Sequence, residues 1–255
     1  MIFSTTGIAY LLLFISSGFL TYRFFQYWQS SKDIVSKCFL CLVAMITLFA
    51  LVKTIIGLFF TTNIPILQLS MAIGSFIQGV NAAIVTYLIM YLKFPKISPW
   101  VGFWTMLFLG MTVTALFFPI AMQSQPTVDA FGAIKWGFIQ HADFNYIFIM
   151  ASRMFILVIG MVPIIIILIQ QSITTGHSYV RKKAFGLSVV LSLGVLIGLL
   201  DFVLVDVFGL KSVSRDIVTG FLSIILFFLV FFTQKPPVPE KPQEKHIPLL
   251  PKISW

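Results

Sequence analysis

The chain has 255 residues, of which 59% are hydrophobic and only 10% are charged, whereas a soluble domain carries about 25% charged residues. This composition excludes an ordinary water-soluble protein, and at ~20 apolar residues per membrane crossing there is no room for a separate soluble domain beside seven crossings. The net charge is +9, but the basic residues lie between apolar runs, which indicates membrane orientation and argues against a nucleic-acid partner.

Seven apolar runs follow one another along the chain, and each is long enough to cross a lipid bilayer. They predict an all-α polytopic protein, with a seven-helix transmembrane bundle over residues 1–233 and a cytoplasmic tail over residues 234–255. The runs lie at about 6–27, 36–61, 64–92, 99–123, 146–171, 184–208 and 215–233.

The first run follows the uncharged segment MIFSTTG and is flanked by positive charge only on its far side. A cleavable signal peptide has the opposite flank, so we expect a retained helix with its N-terminus outside. The predicted cytoplasmic segments then hold the basic excess that such loops normally have, namely Arg23, Lys32, Lys37, Lys93, Lys96, Arg181, Lys182, Lys183, Lys235, Lys241, Lys245 and Lys252. The predicted outer segments contain only Lys135, Lys211 and Arg215.

The pair Cys38 and Cys41 begins the second run, at the predicted cytoplasmic face. A disulfide is not expected in a reducing compartment, and the pair is only half a zinc site, so we interpret both as small apolar side chains. The three histidines are divided between the two sides, and the chain has no HExxH, GxSxG or phosphate-loop motif. We expect no catalytic centre, metal site or cofactor.

The longest loop is predicted to lie outside and reads QSQPTVDAFGAIKWGFIQHADFNY. Its aromatic residues Phe131, Trp136 and Phe138 stand near polar neighbours, as in interfacial segments. The loop is either a lipid-anchoring turn or a lid over the bundle.

Charged side chains inside the predicted helices are the first candidates for function, because each costs at least ~2.5 kcal/mol to insert. Lys53, Arg153 and Asp201 each lie seven or eight residues from the predicted outer end of their helix, which is about 10–12 Å below the outer surface. We hypothesise that helices 2, 5 and 6 line an outward-facing pocket that binds a small anionic ligand. The alternative is a structural ion pair, with the second cation reaching the interface. Asp206 lies nearer the surface.

The third run carries the polar residues Gln68, Ser75, Gln78 and Asn81, mostly on one helix face. We expect this face to turn inward and to form interhelical hydrogen bonds. The deep amides of Gln78 and Asn81 are also candidate ligand-binding groups, or part of a polar path through the bundle.

The tail from residue 234 contains six prolines and four lysines, which excludes regular helix and favours an extended or disordered chain. It is expected to lie near anionic lipid headgroups or to dock on a partner.

Three segments carry a family resemblance: YLIMYLKFPK after the third run, RKKAFGLSVVLSLGVLIGLLDFVLVDVFGL, and SRDIVTGFLSIILFFLVFF. With the seven-run layout, the chain resembles the N-terminal seven-helix sensory region of bacterial histidine kinases. The resemblance implies a bacterial inner-membrane sensor that passes an extracytoplasmic or membrane cue onward by helix movement. Because only the 22-residue tail follows the last run, it implies a stand-alone sensor or regulatory subunit that acts through a cytoplasmic signalling partner.

Two other classes compete with the sensor. A small transporter or channel subunit is favoured by Pro119 and Pro163, which are predicted to kink helices 4 and 5, but no internal repeat supports it. A structural subunit of a membrane complex would need the buried charges only to fix helix register.

Overall fold

The computed structural model describes residues 4–136, 144–199 and 211–233. These residues form seven helices and one short hairpin, in the order α1 (Thr5–Ser31), α2 (Ile34–Phe59), α3 (Ile64–Lys93), α4 (Pro99–Gln123), β1 (Thr127–Val128), β2 (Ile134–Lys135), α5 (Phe144–Thr174), α6 (Ser178–Leu199) and α7 (Ser212–Thr233). Candidate residue Asp201, together with Asp206, Phe138 and the whole predicted tail 234–255, lies outside the described residues.

The helices begin where the sequence supplies polar capping residues. The side chains of Ser4, Asp33 and Asn63 accept hydrogen bonds from the first-turn amides of α1, α2 and α3, which satisfies groups that a helix start leaves without a partner. Between α1 and α2 the chain reverses through Lys32, whose φ is 55°, and Asp33. Such tight connections force neighbouring helices to lie antiparallel.

Six helices form a closed ring in the order α1, α2, α3, α5, α6 and α7, because each packs against the next and α7 packs against α1. The fourth helix, α4, lies outside this ring, mainly against α3. The bundle has two ends. The hairpin end carries β1 and β2 with the starts of α1 and α7, and the basic end carries the α1–α2 connection and the start of α6.

Six of the described helices, α1 to α5 and α7, are long and apolar enough to cross a membrane. The described part of α6 carries Arg181, Lys182 and Lys183 near its start, ends at Leu199 and is not among the helices that are long and apolar enough to cross a membrane. The chain is therefore a multi-pass, all-helical membrane protein, and its many exposed apolar side chains contact lipid. The seventh crossing and the orientation stay predictions.

The largest apolar core fills the basic half of the ring. It includes the stacked rings of Phe24 and Phe39, whose centroids lie 5.5 Å apart, with Leu42, Leu168 and Leu187 from α2, α5 and α6. This packing closes the ring at the basic end, and the same core continues into the hairpin half through Tyr10 and Leu13 of α1.

Candidate functional site

A cavity of about 210 Å³ lies inside the six-helix ring. Its wall includes residues from α1, α2, α3, α5, α6 and α7, and Trp136 from the end of the hairpin segment. In α2 the lining residues extend from Val43 to Lys53, and in α5 from Met150 to Met161. At ~1.5 Å of rise per residue, the cavity is about 15 Å long.

Lys53 lines this cavity with its side chain almost completely buried, at 5% exposure. Its Nζ lies 3.8 Å from the centroid of the Trp136 ring, 5.9 Å from that of Phe49, and donates to Ser70 Oγ at 3.4 Å. Gly74 makes room for this arrangement, since a Cβ there would lie 3.0 Å from Phe49 Cε2 and 3.9 Å from Lys53 Cε. The lysine is held between aromatic rings, a contact of about 0.5–2 kcal/mol.

Arg153 contributes a second cation to the same wall. Its guanidinium carbon lies 3.9 Å from the centroid of Phe117, a buried ring of α4. Its backbone carbonyl accepts a hydrogen bond from Gln78 Nε2 at 3.4 Å. Helix α4, which packs outside the ring, thus positions a residue of the cavity, although no α4 residue lines the cavity.

The polar residues of α3 divide between two surroundings. Gln68 donates to the carbonyl of Ser124 at 2.7 Å, and Ser75 bonds Thr114 at 3.2 Å, so both join α3 to α4. Gln78 and Asn81 line the cavity. The expectation of interhelical hydrogen bonds is confirmed for Gln68, Ser75 and Gln78, whereas the expectation of a single inward face is wrong for the two residues that face α4.

Asn81 is 7% exposed, and its Oδ1 has no hydrogen-bond partner in the part of the chain that the structure describes. Because a buried acceptor without a partner costs about 1–3 kcal/mol, this oxygen is suited to a donor brought by bound water or ligand.

Of the predicted site residues, the structure therefore brings Lys53, Arg153, Gln78 and Asn81 into the wall of one cavity. The Lys53 ammonium packs on Trp136, whereas the Arg153 guanidinium packs on Phe117 of α4. The predicted counter-ion Asp201 lies outside the described residues, so the role of this group as an anion site stays a prediction.

The hairpin segment covers one end of the cavity. Ala133, Ile134 and Trp136 are buried, with Trp136 only 4% exposed, while Phe131 at the tip is 68% exposed. Trp136 agrees with the interpretation of this loop as a lid and not with a lipid-anchoring turn, because the Trp136 ring packs over Lys53 inside the bundle.

A polar cluster that the sequence did not predict holds this lid in place. Arg215, 2% exposed, pairs with Asp216 at 2.7 Å and donates to the carbonyl of Ile134 at 2.9 Å. Thr6 Oγ1 donates to Asp216 Oδ2 at 2.6 Å and accepts from the amide of Ile134 at 2.8 Å. Arg215 lies in the first turn of α7 and joins α7, α1 and β2, and its predicted outer side stays a prediction.

At the basic end, Lys183 was expected in a cytoplasmic segment outside the helices but is buried in the second turn of α6. Its Nζ donates to the hydroxyl of Tyr27 and lies over the ring of that tyrosine. The contact joins α6 to α1 on the far side of the apolar core. The one sequence signal for the cluster around Arg215 was the adjacent opposite charge of Asp216 in the segment SRDI. No comparable signal marks Lys183.

Comparison of the chain with protein families, with characterised proteins and with solved structures finds no match. The resemblance to the sensory region of histidine kinases therefore stays a prediction, and the cavity itself is the basis for a functional proposal.

Proposed function

We propose that this protein is a receptor-like sensor with seven membrane crossings, an outer N-terminus and no enzymatic activity, located in a bacterial inner membrane. In this proposal the hairpin end faces outward, and the cavity binds a small ligand with an anionic group. The bound state is passed to a cytoplasmic signalling partner. The supporting observation is that two cations and two amides line one cavity beneath an aromatic lid.

The charge of the cavity wall supports an anionic ligand. Lys53 and Arg153 each stack against an aromatic ring, which is a favourable contact for a cation. In a wall of low dielectric constant, an attraction between opposite charges is several times stronger than in water. A carboxylate or similar group placed beside both cations is thus favoured over a neutral ligand.

The packing of the basic half supports a sensor over a transporter. Beyond the cavity, Phe24, Phe39 and Leu42 belong to a continuous apolar core, and the cavity lining in the described part of α1 and α2 ends before it, at Leu20 and Val43. On the far side of this core, Lys183 contacts Tyr27. The α6 residue Val190 lines the cavity and lies about 10 Å along the helix from Lys183, so a shift of α6 on binding would reach the basic end.

A transporter is the second candidate, and one observation favours it. The cavity lies inside the ring, and α5, which supplies Arg153 to its wall, contains Pro163. A proline inside a helix allows bending, and bending of α5 would open the apolar core in a transport cycle.

The proposal is tested with the purified full-length protein in lipid nanodiscs. We expect at least one of acetate, butyrate and decanoate to raise the unfolding temperature. Lys53→Met removes one cation and should abolish that rise, whereas Lys182→Met removes an exposed lysine at the basic end and should retain it. Arg153→Gln provides a second variant should Lys53→Met fold poorly.

Three results would contradict the proposal. The first is no response to any of the three anions, and the second is an unchanged response in both cavity variants. The third is uptake of a bound anion into liposomes that contain the protein, which would make the transporter the better description.

A further inference from the structure

We infer that the deep end of the cavity, which is the part nearest the basic end of the bundle, recognises a hydroxyl group on an otherwise apolar part of the ligand through Asn81 of α3. The inference rests on the proposed function, because it concerns the same cavity. It adds a second feature of the ligand and does not depend on where the anionic group binds.

Asn81 lies at the deep end because of the direction in which α3 runs. The helix begins at the hairpin end, and its lining residues extend from Met71 to Ala82. Asn81 therefore directly precedes the last lining residue of α3. At this level α3 and α5 approach closely, since a Cβ on Gly160 would lie 3.1 Å from Ala82 Cβ.

The surroundings of Asn81 at this end are apolar. On each of the other ring helices, the lining residue nearest the basic end has an apolar side chain, and these residues are Leu20, Val43, Met161, Val190 and Leu226. A ligand group that reaches this end is therefore favoured when its body is apolar and covers these side chains.

The Asn81 carbonyl oxygen needs a hydrogen-bond donor. Asn81 is only 7% exposed, and its Oδ1 has no hydrogen-bond partner among residues 4–136, 144–199 and 211–233. Two other polar residues of the wall direct donors elsewhere, because Ser17 Oγ donates to the carbonyl of Leu13 at 2.8 Å and Gln78 Nε2 donates to the carbonyl of Arg153 at 3.4 Å. A hydroxyl on the ligand supplies the missing donor.

The cavity is larger than a bound water requires. Its volume is about 210 Å³, whereas one water occupies roughly 10–15 Å³ of such space and needs about two to four polar partners. The deep end offers mainly apolar side chains. An apolar ligand with a hydroxyl group satisfies Asn81 and covers the apolar wall with one molecule.

The test compares 1-hexanol with its isomer methyl pentyl ether, which has an oxygen but no hydroxyl donor. Equilibrium binding to the full-length protein in nanodiscs is measured, with empty nanodiscs subtracted. We expect 1-hexanol to bind about tenfold more tightly than the ether, because only the alcohol donates to Asn81 Oδ1. Ethanol has the hydroxyl without the apolar body and should bind weaker than 1-hexanol by about tenfold or more.

Two variants of α3 locate the hydroxyl. Asn81→Leu removes the acceptor at similar size, so the affinity for 1-hexanol should fall to that for the ether, while ether binding stays unchanged. We expect this variant to be at least as stable as the original protein, because it removes a buried acceptor that lacks a partner in the described chain. Thr86→Val is the control, because its hydroxyl donates to the carbonyl of Ala82 and does not line the cavity, and it should retain the preference for 1-hexanol.

The outcomes separate this inference from the proposed function. Equal affinities for 1-hexanol and the ether in the unmodified protein would overturn the inference, as would a preference that persists in folded Asn81→Leu. In either case a rise in unfolding temperature with one of the three anions, abolished by Lys53→Met, would leave the proposed function standing. If the preference for 1-hexanol is found but none of the anions has an effect, the hydroxyl site stands and the anionic ligand is wrong.

Discussion

The ion pair of Arg215 and Asp216 shows how individual residues stabilise the position of the lid. Both side chains are buried, and their partners Thr6 and Ile134 belong to α1 and β2. Asp216→Leu would leave the arginine charge buried without its carboxylate, so we expect a loss of about 3–5 kcal/mol in the free energy of unfolding. Titration with SDS in mixed micelles measures this loss.

The double variant Arg215→Leu/Asp216→Leu is the control for that measurement. Removing both charges leaves no buried ion, so the double variant should be more stable than Asp216→Leu alone. Equal stability of the two variants would show that the arginine charge is solvated after the aspartate is lost, contrary to its burial here.

Asp33 makes the start of α2 sensitive to pH. Partial burial raises the pKa of its carboxyl group, but hydrogen bonds from Ser31 and from the amide and hydroxyl of Ser36 outweigh this effect, and the pKa lies below its ordinary value of 3.8. The folded state therefore favours the charged form. Its contribution to stability is complete above the pKa of the unfolded chain and is lost as the pH falls through the folded-state pKa, below about pH 4.

The variant Asp33→Asn separates the charge from the cap. Asparagine is an equally good capping residue but does not titrate, so the stability difference between the original protein and this variant should shrink as the pH falls from 6 to 3. Asp33→Ala removes the cap itself and should cost about 0.5–2 kcal/mol at pH 6. A stability difference between the original protein and Asp33→Asn that stays constant over this pH range would contradict the depressed pKa.

At the level of elements, α4 is the helix that packs outside the ring but still supports the site. Its Phe117 lies under Arg153, and its other face exposes Trp100, Trp104 and Phe108 to lipid. Gly79 of α3 and Gly110 of α4 bring the two backbones together, as small residues commonly do between membrane helices. The position of Arg153 therefore depends on this contact.

Gly110→Ala tests the contact between α3 and α4. The added Cβ would lie 2.7 Å from Gly79 Cα, so the helices must separate, and we expect a loss of about 1–3 kcal/mol in the free energy of unfolding. Gly18→Ala is the matched control, because its Cβ would make only an ordinary contact, 3.9 Å from Thr47 Cγ2. Alanine also favours helix over glycine, so the control should be neutral or slightly stabilising. Equal effects of both changes would mean that α4 does not dock closely on α3.

For the whole molecule, the sequence predicts the helices well and the closure of the ring poorly. Long apolar runs identify a membrane helix by length alone, so the predicted runs agree with the described helices within a few residues at most ends. The burial of Arg215, Lys183 and Trp136 depends on partners that are distant along the chain, such as Thr6 for Arg215 and Tyr27 for Lys183. The pattern of charged and apolar residues does not identify such distant partners. From the sequence alone, all three residues are therefore expected in loops.

The number of membrane crossings determines which functions the bundle can have, and cysteine labelling tests this number. In a Cys38→Ser/Cys41→Ser background, single cysteines replace the exposed residues Ala130 in the hairpin, Lys96 between α3 and α4, and Lys211 before α7. If all seven helices cross and the N-terminus is outside, a membrane-impermeant maleimide should label positions 130 and 211 in intact cells, and position 96 only after permeabilisation. The positive-inside rule is the reason for this expectation.

Labelling of position 211 only after permeabilisation would show that α6 does not cross. Labelling of position 96 in intact cells would reverse the orientation and turn the cavity, with its lid, toward the cytoplasm.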